Sequence, residues 1–209
     1  MLYWFGTLAF DVGIILWCVR INALITAQKR RLIEQGSQGD TLHVFVPYDV
    51  CWELWEGGVP PLIGCQWLPG VLAGIQFLIM LFCISGQGFV EHSKICLSMY
   101  SMVLLVYTLF KRSTIYAGSP RDILHLSTGE SSSATSSLTT ATEFVLMTWV
   151  CLFCPVGIML KAISLLIGVF GVASNLAVGN HYTADVLVAI YLSSTVFMGY
   201  HQRFMSSWE

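Results

Sequence analysis

A histidine and an aspartate four residues apart form the first pair of side chains in this chain whose spacing fits chemistry. His181 and Asp185 lie in residues 179–185, which read GNHYTAD and precede an apolar run that reaches Tyr200. On a helix, positions i and i+4 lie on one face. A carboxylate there accepts a proton from one imidazole nitrogen, which orients the ring and makes the other nitrogen more basic. The spacing therefore predicts the oriented-imidazole half of a catalytic dyad.

A second polar stretch precedes the fourth apolar run of the chain. Residues 122–135 read DILHLSTGESSSAT, and the small side chains around Gly129 and Ser131 let the backbone approach a ligand or a neighbouring helix closely. A helix that begins here presents free N–H groups and the positive end of its dipole to an anion. Glu130 lies within the stretch and is a candidate acid or base. The same composition is equally typical of a flexible linker.

Basic side chains complete a candidate phosphate site. Lys111 and Arg112 follow the third apolar run, and Arg121 lies in the same polar connection. Cations, an oriented histidine and a second acid–base group are the parts that phosphoryl transfer needs. Lys111 and Arg112 fit equally well as interfacial anchors, and a histidine–aspartate pair at this spacing is often only a surface or interhelical contact. The candidates are His181, Asp185 and Glu130 for catalysis, and Lys111, Arg112, Arg121, Gly129, Ser131 and Tyr182 for phosphate binding.

Charged residues are too few for a water-soluble fold. They make up 11% of the 209 residues, whereas hydrophobic residues make up 56%. Soluble domains carry about 25% charged residues, and the mean hydropathy of this chain is +0.71. The composition therefore predicts an all-α, polytopic membrane protein. The net charge of −2 gives no reason to expect nucleic acid as a partner.

Apolar runs divide the chain into six expected membrane spans. They cover residues 2–19, 68–85, 95–110, 141–160, 162–178 and 184–200, and several approach the roughly 20 residues that cross a bilayer. Residues 1–67 are expected to form the first span, its basic helical extension and an interfacial segment, and residues 68–209 a five-helix core. Six spans place both chain ends on one side. The polar connection 111–140 and the turn 179–183 then share one membrane face.

Three features inside the spans carry further expectations. Pro155 and Gly157 predict a kink in the fourth span. Glu143 is expected to contact a neighbouring helix or to anchor its span at the membrane boundary. Cys151 and Cys154 have the spacing of a metal or redox pair, but no other histidine or cysteine lies near them in the sequence. We interpret them as small buried hydrophobic residues, and we expect neither a metal nor a cofactor.

The apolar run that follows His181 continues a recognisable motif. Residues 181–186 read HYTADV, and the pattern continues through residues 188–189, Tyr191, Phe197, Tyr200 and His201. This segment resembles the last motif of sphingomyelin synthases and related sphingolipid synthases, within the type-2 phosphatidic acid phosphatase superfamily. The resemblance implies a six-helix bundle in which His181 attacks phosphorus and Asp185 orients it. It also implies membrane lipids as partners, with a phospholipid donor and a ceramide-like acceptor, in the Golgi, endoplasmic reticulum or plasma membrane.

The first motif departs from the pattern of that family. Those enzymes have Ser-Gly-His-Thr, whose histidine assists as general acid or base, whereas residues 128–131 here read TGES and place Glu130 at that position. A buried carboxyl group can act as an acid near neutral pH, but a carboxylate also repels phosphate. Three hypotheses follow: a headgroup transferase, a lipid phosphate phosphatase, and a catalytically degenerate lipid-binding homologue. The headgroup, homo-oligomerisation and the membrane side remain open, since cation positions favour the cytoplasm and the resemblance favours the lumenal or outer side.

Overall fold

The computed structural model describes residues 2–36, 61–62, 64–86, 88–113, 140–179 and 181–208, and no β-strand occurs in these ranges. The helices are α1 (Leu2–Gly36), α2 (Leu68–Ile84), α3 (Phe89–Ser113), α4 (Thr140–Phe153), α5 (Ile158–Ala177) and α6 (Thr183–Ser206). The all-α architecture expected from the sequence is confirmed.

Three of these helices are long and apolar enough to cross a membrane. They are the part of α3 from Phe89 to Leu109, α5 and α6, whereas α2 and α4 are shorter apolar helices. Large apolar side chains such as Phe82 and Phe170 are exposed on the outside of the bundle. Such a surface is unfavourable in water and fits the hydrocarbon region of a bilayer. The chain is therefore an integral membrane protein built as a helical bundle.

The predicted fourth span, residues 141–160, is wrong in its length. α4 ends at Phe153, and residues 154–157 form a turn that reverses the chain. Pro155 has no N–H with which to continue the helical hydrogen bonds. Gly157 takes an extended conformation, with φ −62° and ψ 150°, directly before α5. The expected kink is therefore a complete break between two helices.

The boundaries of α1 and α3 also differ from the prediction. α1 is one continuous helix of 35 residues, so the first span and its basic extension form a single element. Its length of about 52 Å exceeds the ~30 Å thickness of a hydrocarbon core. α3 begins at Phe89, although the sequence predicts a loop over residues 86–94. α3 therefore begins more than one helical turn before the predicted third span, which starts at residue 95.

The first turns of α4 and α6 lie side by side. Ala141, near the start of α4, packs against Val186 in the first turn of α6. Further along the same two helices, the Trp149 indole N–H donates to Ser194 Oγ at 2.9 Å. Two contacts in the same order show that α4 and α6 run in the same direction. They begin at one membrane face, termed the site face below.

The remaining helices alternate around this pair. His92, in the first turn of α3, lies 3.1 Å from the carbonyl oxygen of Ser207 beyond the end of α6. α3 therefore runs opposite to α6 and ends at the site face. Asp11 of α1 accepts hydrogen bonds from Ser98 (2.7 Å) and Ser101 (2.8 Å) of α3. The end of α3, the start of α4 and the turn between α5 and α6 therefore lie at one face, as predicted.

α4 is the central helix, because it packs against α2, α3, α5 and α6. Its contact with α5 is close: a Cβ atom at Gly171 would collide with the Phe144 ring. Gln76 of α2 is fully buried and donates hydrogen bonds to Thr148 of α4 (3.2 Å) and Ser164 of α5 (2.7 Å). A glycine that permits close approach and a shared buried amide together fix three helices against one another.

Candidate active site

A tight turn between α5 and α6 places His181 at the site face. The turn passes through Gly179, whose φ of +78° lies in the left-handed region that glycine adopts without strain. Tyr182 is the N-cap of α6, with extended backbone angles of −77° and 156°, and the helix begins at Thr183. His181 therefore lies just before the helix rather than on it. The predicted helical face for the pair is wrong in this respect, since only Asp185 is helical.

The turn still brings the imidazole and the carboxylate together. His181 Nδ1 and Asp185 Oδ2 are 4.0 Å apart, with 3% and 15% of the two side chains exposed. This separation is longer than a hydrogen bond and short enough for an attraction between a protonated ring and a carboxylate. Catalytic hydrogen bonds are often long without substrate and shorten when it binds. The geometry is compatible with an orienting role for Asp185.

Asp185 also has a structural role at the same place. Its Oδ2 atom accepts the backbone N–H of Tyr182 at 3.3 Å, which satisfies a donor at the start of α6. A carboxylate in the first helical turn is further favoured by the positive end of the helix dipole. One carboxylate therefore contacts the histidine and caps the helix. The hydrogen bond to the Tyr182 N–H fixes the position of the Asp185 carboxylate, which limits changes in its distance from His181.

The predicted site residues differ in what the structure says about them. Tyr182 is 1% exposed and His181 is 4% exposed, so these two candidates are buried in the turn, with the partly exposed Asp185 in the first turn of α6. Lys111 and Arg112 belong to the last turn of α3, which ends at the site face. The other candidates lie outside the described residues. They are Arg121, Gly129, Glu130 and Ser131.

Two polar side chains in or beside α4 lie outside the predicted catalytic and phosphate-binding set, with Glu143 partly buried and Gln76 fully buried. Glu143, three residues into α4, accepts a hydrogen bond from the Tyr100 hydroxyl at 2.9 Å, which confirms its expected contact with a neighbouring helix. Gln76 was not singled out by the sequence analysis, although it is a lone amide inside the apolar run of α2. A single polar side chain within such a run is the signal that identifies both residues, because a buried polar group needs a partner.

The bundle and its buried histidine–aspartate turn define a class of membrane-embedded helical proteins with a candidate acid–base site at one face. Residues 133–202 match the family described as PAP2 superfamily C-terminal. A relative from Caenorhabditis elegans, phosphatidylcholine:ceramide cholinephosphotransferase 2, is 45% identical over 47 residues. No solved structure matches the chain. The resemblance to sphingomyelin synthase-like proteins of this superfamily is thereby confirmed.

The similarity covers only part of the chain and of its relative. The aligned residues make up 22% of this chain and 14% of the cholinephosphotransferase. The family match begins three residues after Glu130 and includes His181 and Asp185. It contains one other histidine, His201, which packs edge-on against Phe153 with ring centroids 4.8 Å apart. His201 lies near the end of α6, far along the helix from the site face.

Proposed function

We propose that the chain is a membrane-embedded transferase that moves a phosphocholine-like headgroup from a phospholipid to a lipid acceptor such as ceramide. The observation that supports this most directly is buried His181 beside Asp185, in a family segment shared with lipid phosphotransferases and phosphatases. A histidine oriented by a carboxylate is a common arrangement for nucleophilic catalysis. Both lipids would reach the site sideways from the bilayer, in the Golgi, endoplasmic reticulum or plasma membrane.

His181 would attack through Nε2, because Nδ1 is the nitrogen nearest to Asp185. In the first step, the Nε2 lone pair forms a bond to phosphorus, and the bond from phosphorus to the diacylglycerol oxygen breaks. Glu130 is the proposed acid that gives a proton to this leaving oxygen. In the second step, the acceptor hydroxyl oxygen attacks phosphorus, its proton passes to Glu130, and the N–P bond breaks. His181 is then ready for another cycle.

The remaining candidates would hold the phosphate between these steps. Positive side chains stabilise the charge that develops on the phosphate oxygens, and small residues let backbone N–H groups come close. Lys111 and Arg112 are at the correct end of α3 for such a role. The complete proposed binding set is Lys111, Arg112, Arg121, Gly129, Ser131 and Tyr182.

A transfer assay in vesicles tests the proposal. Purified protein is reconstituted with phosphatidylcholine and a fluorescent ceramide, and the lipid products are separated. The expected product is a fluorescent sphingolipid that carries the phosphocholine group, together with diacylglycerol. Parallel vesicles contain phosphatidic acid, and release of free phosphate there, without a new sphingolipid in the ceramide vesicles, would instead identify a lipid phosphate phosphatase, in which water replaces the acceptor. Absence of every product would contradict both enzymatic functions.

A catalytically degenerate, lipid-binding homologue is the second candidate function. The observation that favours it is Glu130, which stands in the sequence where the resembling enzymes have the first histidine of their Ser-Gly-His-Thr motif. Glu130→His discriminates between the two candidates. If the substitution creates transfer activity that the natural chain lacks, the natural chain is a degenerate homologue. If the natural chain is active and the substitution lowers that activity, Glu130 is the working acid.

A further inference from the structure

An apolar cavity lies between α2, α3 and α4, away from the His181 turn. Its volume is about 580 Å³, within the roughly 300–1,000 Å³ typical of pockets that bury small ligands. Fourteen residues line it, and eleven of them carry no polar side-chain group. The polar lining residues are Ser93, Tyr100 and Glu143. Tyr100 and Glu143 meet at one end of the cavity, and Ser93, one residue after His92, lies towards the other. The lining therefore favours a hydrocarbon chain whose main polar contacts are at the Tyr100–Glu143 end.

The cavity opens towards the membrane. α2 and α3 are consecutive helices, yet they touch each other much less than α2 touches α4 or than α3 touches α6. Gly74 and Phe77 of α2 line the cavity and are also exposed on the outside of the bundle. Neighbouring side chains on that outer surface, such as Leu78 and Val71, are apolar and exposed. The mouth therefore faces acyl chains rather than water when the helices lie in a bilayer.

The length of the cavity matches one leaflet. Its lining on α2 extends from Ala73 to Ile84, which is about 16 Å at the helical rise of 1.5 Å per residue. That distance is about half of the ~30 Å hydrocarbon core. The end near Glu143 is the one closer to the site face, since Glu143 lies in the first turn of α4. A lipid from one leaflet would thus place its polar end on the side of the His181 turn.

The polar end selects the kind of lipid. Glu143 accepts a hydrogen bond from Tyr100, and a carboxylate has further acceptor positions but no donor. Among the residues whose side chains the structure describes, no basic residue pairs with Glu143. A phosphate group at this place would be repelled by the carboxylate. An uncharged headgroup with several N–H and O–H donors would instead be bound.

We infer that the cavity between α2, α3 and α4 binds one chain of a ceramide-like lipid, whose amide and hydroxyl groups donate to Glu143 beside Tyr100. This inference rests on the proposed function and adds to it, because it identifies the lipid in the cavity as the acceptor rather than the phosphate-bearing donor. The acceptor lipid binds in this cavity before headgroup transfer. Binding there requires no chemistry at His181, so it can be measured separately.

Photo-labelling in vesicles tests the inference. The full chain is reconstituted in phosphatidylcholine vesicles that contain a ceramide with a diazirine in its acyl chain, and labelled peptides are identified by mass spectrometry. Labels are expected on the cavity-lining parts of α2, α3 and α4, and excess unlabelled ceramide should remove them. Labels spread evenly over the outer apolar surface would overturn the inference. So would equal labelling of the cavity by a phosphatidylcholine that carries the same diazirine.

Two glycines of α2 provide a matched pair of variants. A Cβ at Gly74 or at Gly70 meets no atom within 4 Å, so both positions accept a larger side chain. Both are exposed, but only Gly74 lines the cavity. Gly74→Trp is expected to reduce ceramide labelling about tenfold, because each buried methylene that the indole displaces is worth about fourfold in affinity. Gly70→Trp should label like the natural chain, and equal labelling of the two variants would overturn the inference.

Two further comparisons keep this result separate from that of the proposed function. Glu143→Gln keeps the size of the side chain and removes its charge, so it should lower ceramide labelling and raise phosphatidylcholine labelling; no change in either would overturn the inference. His181→Ala should label normally. If wild-type vesicles show no transfer while labelling follows the cavity variants, the proposed enzymatic function fails and the lipid site stands. If transfer occurs but Gly74→Trp does not change ceramide labelling, the cavity inference is overturned and the proposed transferase function stands.

Discussion

His92 and His181 are both buried, and they lie at opposite ends of the bundle among different neighbours. His92 is fully enclosed, and its ring stacks on Trp208 with centroids 3.7 Å apart. Its Nε2 atom contacts the Ser207 carbonyl oxygen, and this contact links the end of α6 to the start of α3. His181 instead faces the carboxylate of Asp185. Burial alone therefore does not distinguish the two rings, whereas the chemistry of the partner does.

The two regions also differ in the parts of the chain that reach them. The His92 end is closed by aromatic side chains, because Phe204 packs edge-on against His92 at 6.1 Å and against Trp208. At the His181 end, α3 ends and α4 and α6 begin, and the imidazole lies beside a carboxylate. A region filled by its own rings has a structural role, whereas a region where helix ends meet at a histidine and a carboxylate is a candidate ligand site. The comparison predicts opposite consequences for the two histidines.

The largest expected effect is the loss of transfer in His181→Ala. Removal of the proposed nucleophile should lower transfer by about 10³-fold or more, while the unfolding free energy changes by about 1 kcal/mol or less. Headgroup transfer in vesicles and thermal unfolding in detergent measure the two quantities on the same preparation. Full transfer activity in this variant would contradict the proposed mechanism. It would also mean that His181 has no catalytic role that distinguishes it from His92.

Asp185 separates orientation from helix capping. Asp185→Asn keeps an oxygen that can accept the Tyr182 N–H, but it removes the charge that attracts the imidazole. We expect about a 10²-fold loss of transfer with little change in stability. Asp185→Ala removes both roles and should also cost about 1 kcal/mol of unfolding free energy. Equal stability of the two variants would show that the cap contributes nothing.

His92→Ala should have the reverse pattern. It removes a fully buried ring that stacks on Trp208, so we expect a loss of about 2–3 kcal/mol in unfolding free energy. Transfer per folded molecule should remain within a few-fold of the natural chain, because the ring lies away from the site face. A loss of transfer without a loss of stability would contradict the structural role. His92→Phe, which keeps a ring for stacking, should recover part of the stability.

Sequence patterns predicted the helices and the shared face better than the local geometry of the site. Runs of apolar residues mark the helices because a membrane span needs many of them in succession. The break at Pro155 was read only as a kink, since sequence does not show that Gly157 takes an extended conformation there. The placement of His181 before α6 rather than on it depends on the N-cap conformation of Tyr182. A spacing of four residues does not reveal such a boundary.

Long-range partners were the other part that the sequence did not identify. Glu143 of α4 accepts a hydrogen bond from Tyr100 of α3. Gln76 of α2 donates a hydrogen bond to Ser164 of α5. A lone polar residue in an apolar run predicts that a partner exists, but not which one, because the partner depends on how the helices rotate in the bundle. The roles of Glu130 and Arg121 stay predictions, since both lie outside the described residues.

The smallest expected effect concerns charges at the His92 end. Glu91 forms ion pairs with Lys94 at 2.9 Å and with Arg203 of α6 at 3.9 Å, and all of them are substantially exposed to the surroundings. Exposed ion pairs contribute little, so Glu91→Gln should lower the unfolding free energy by about 0.5 kcal/mol. The matched change Glu143→Gln, at a half-buried carboxylate that bonds Tyr100 across two helices, should cost more. Unfolding of both variants in one detergent at low and high salt measures the difference. A Glu91→Gln effect that equals the Glu143→Gln effect and survives high salt would mean that surface charges, and not the aromatic stack, hold α6 against α3.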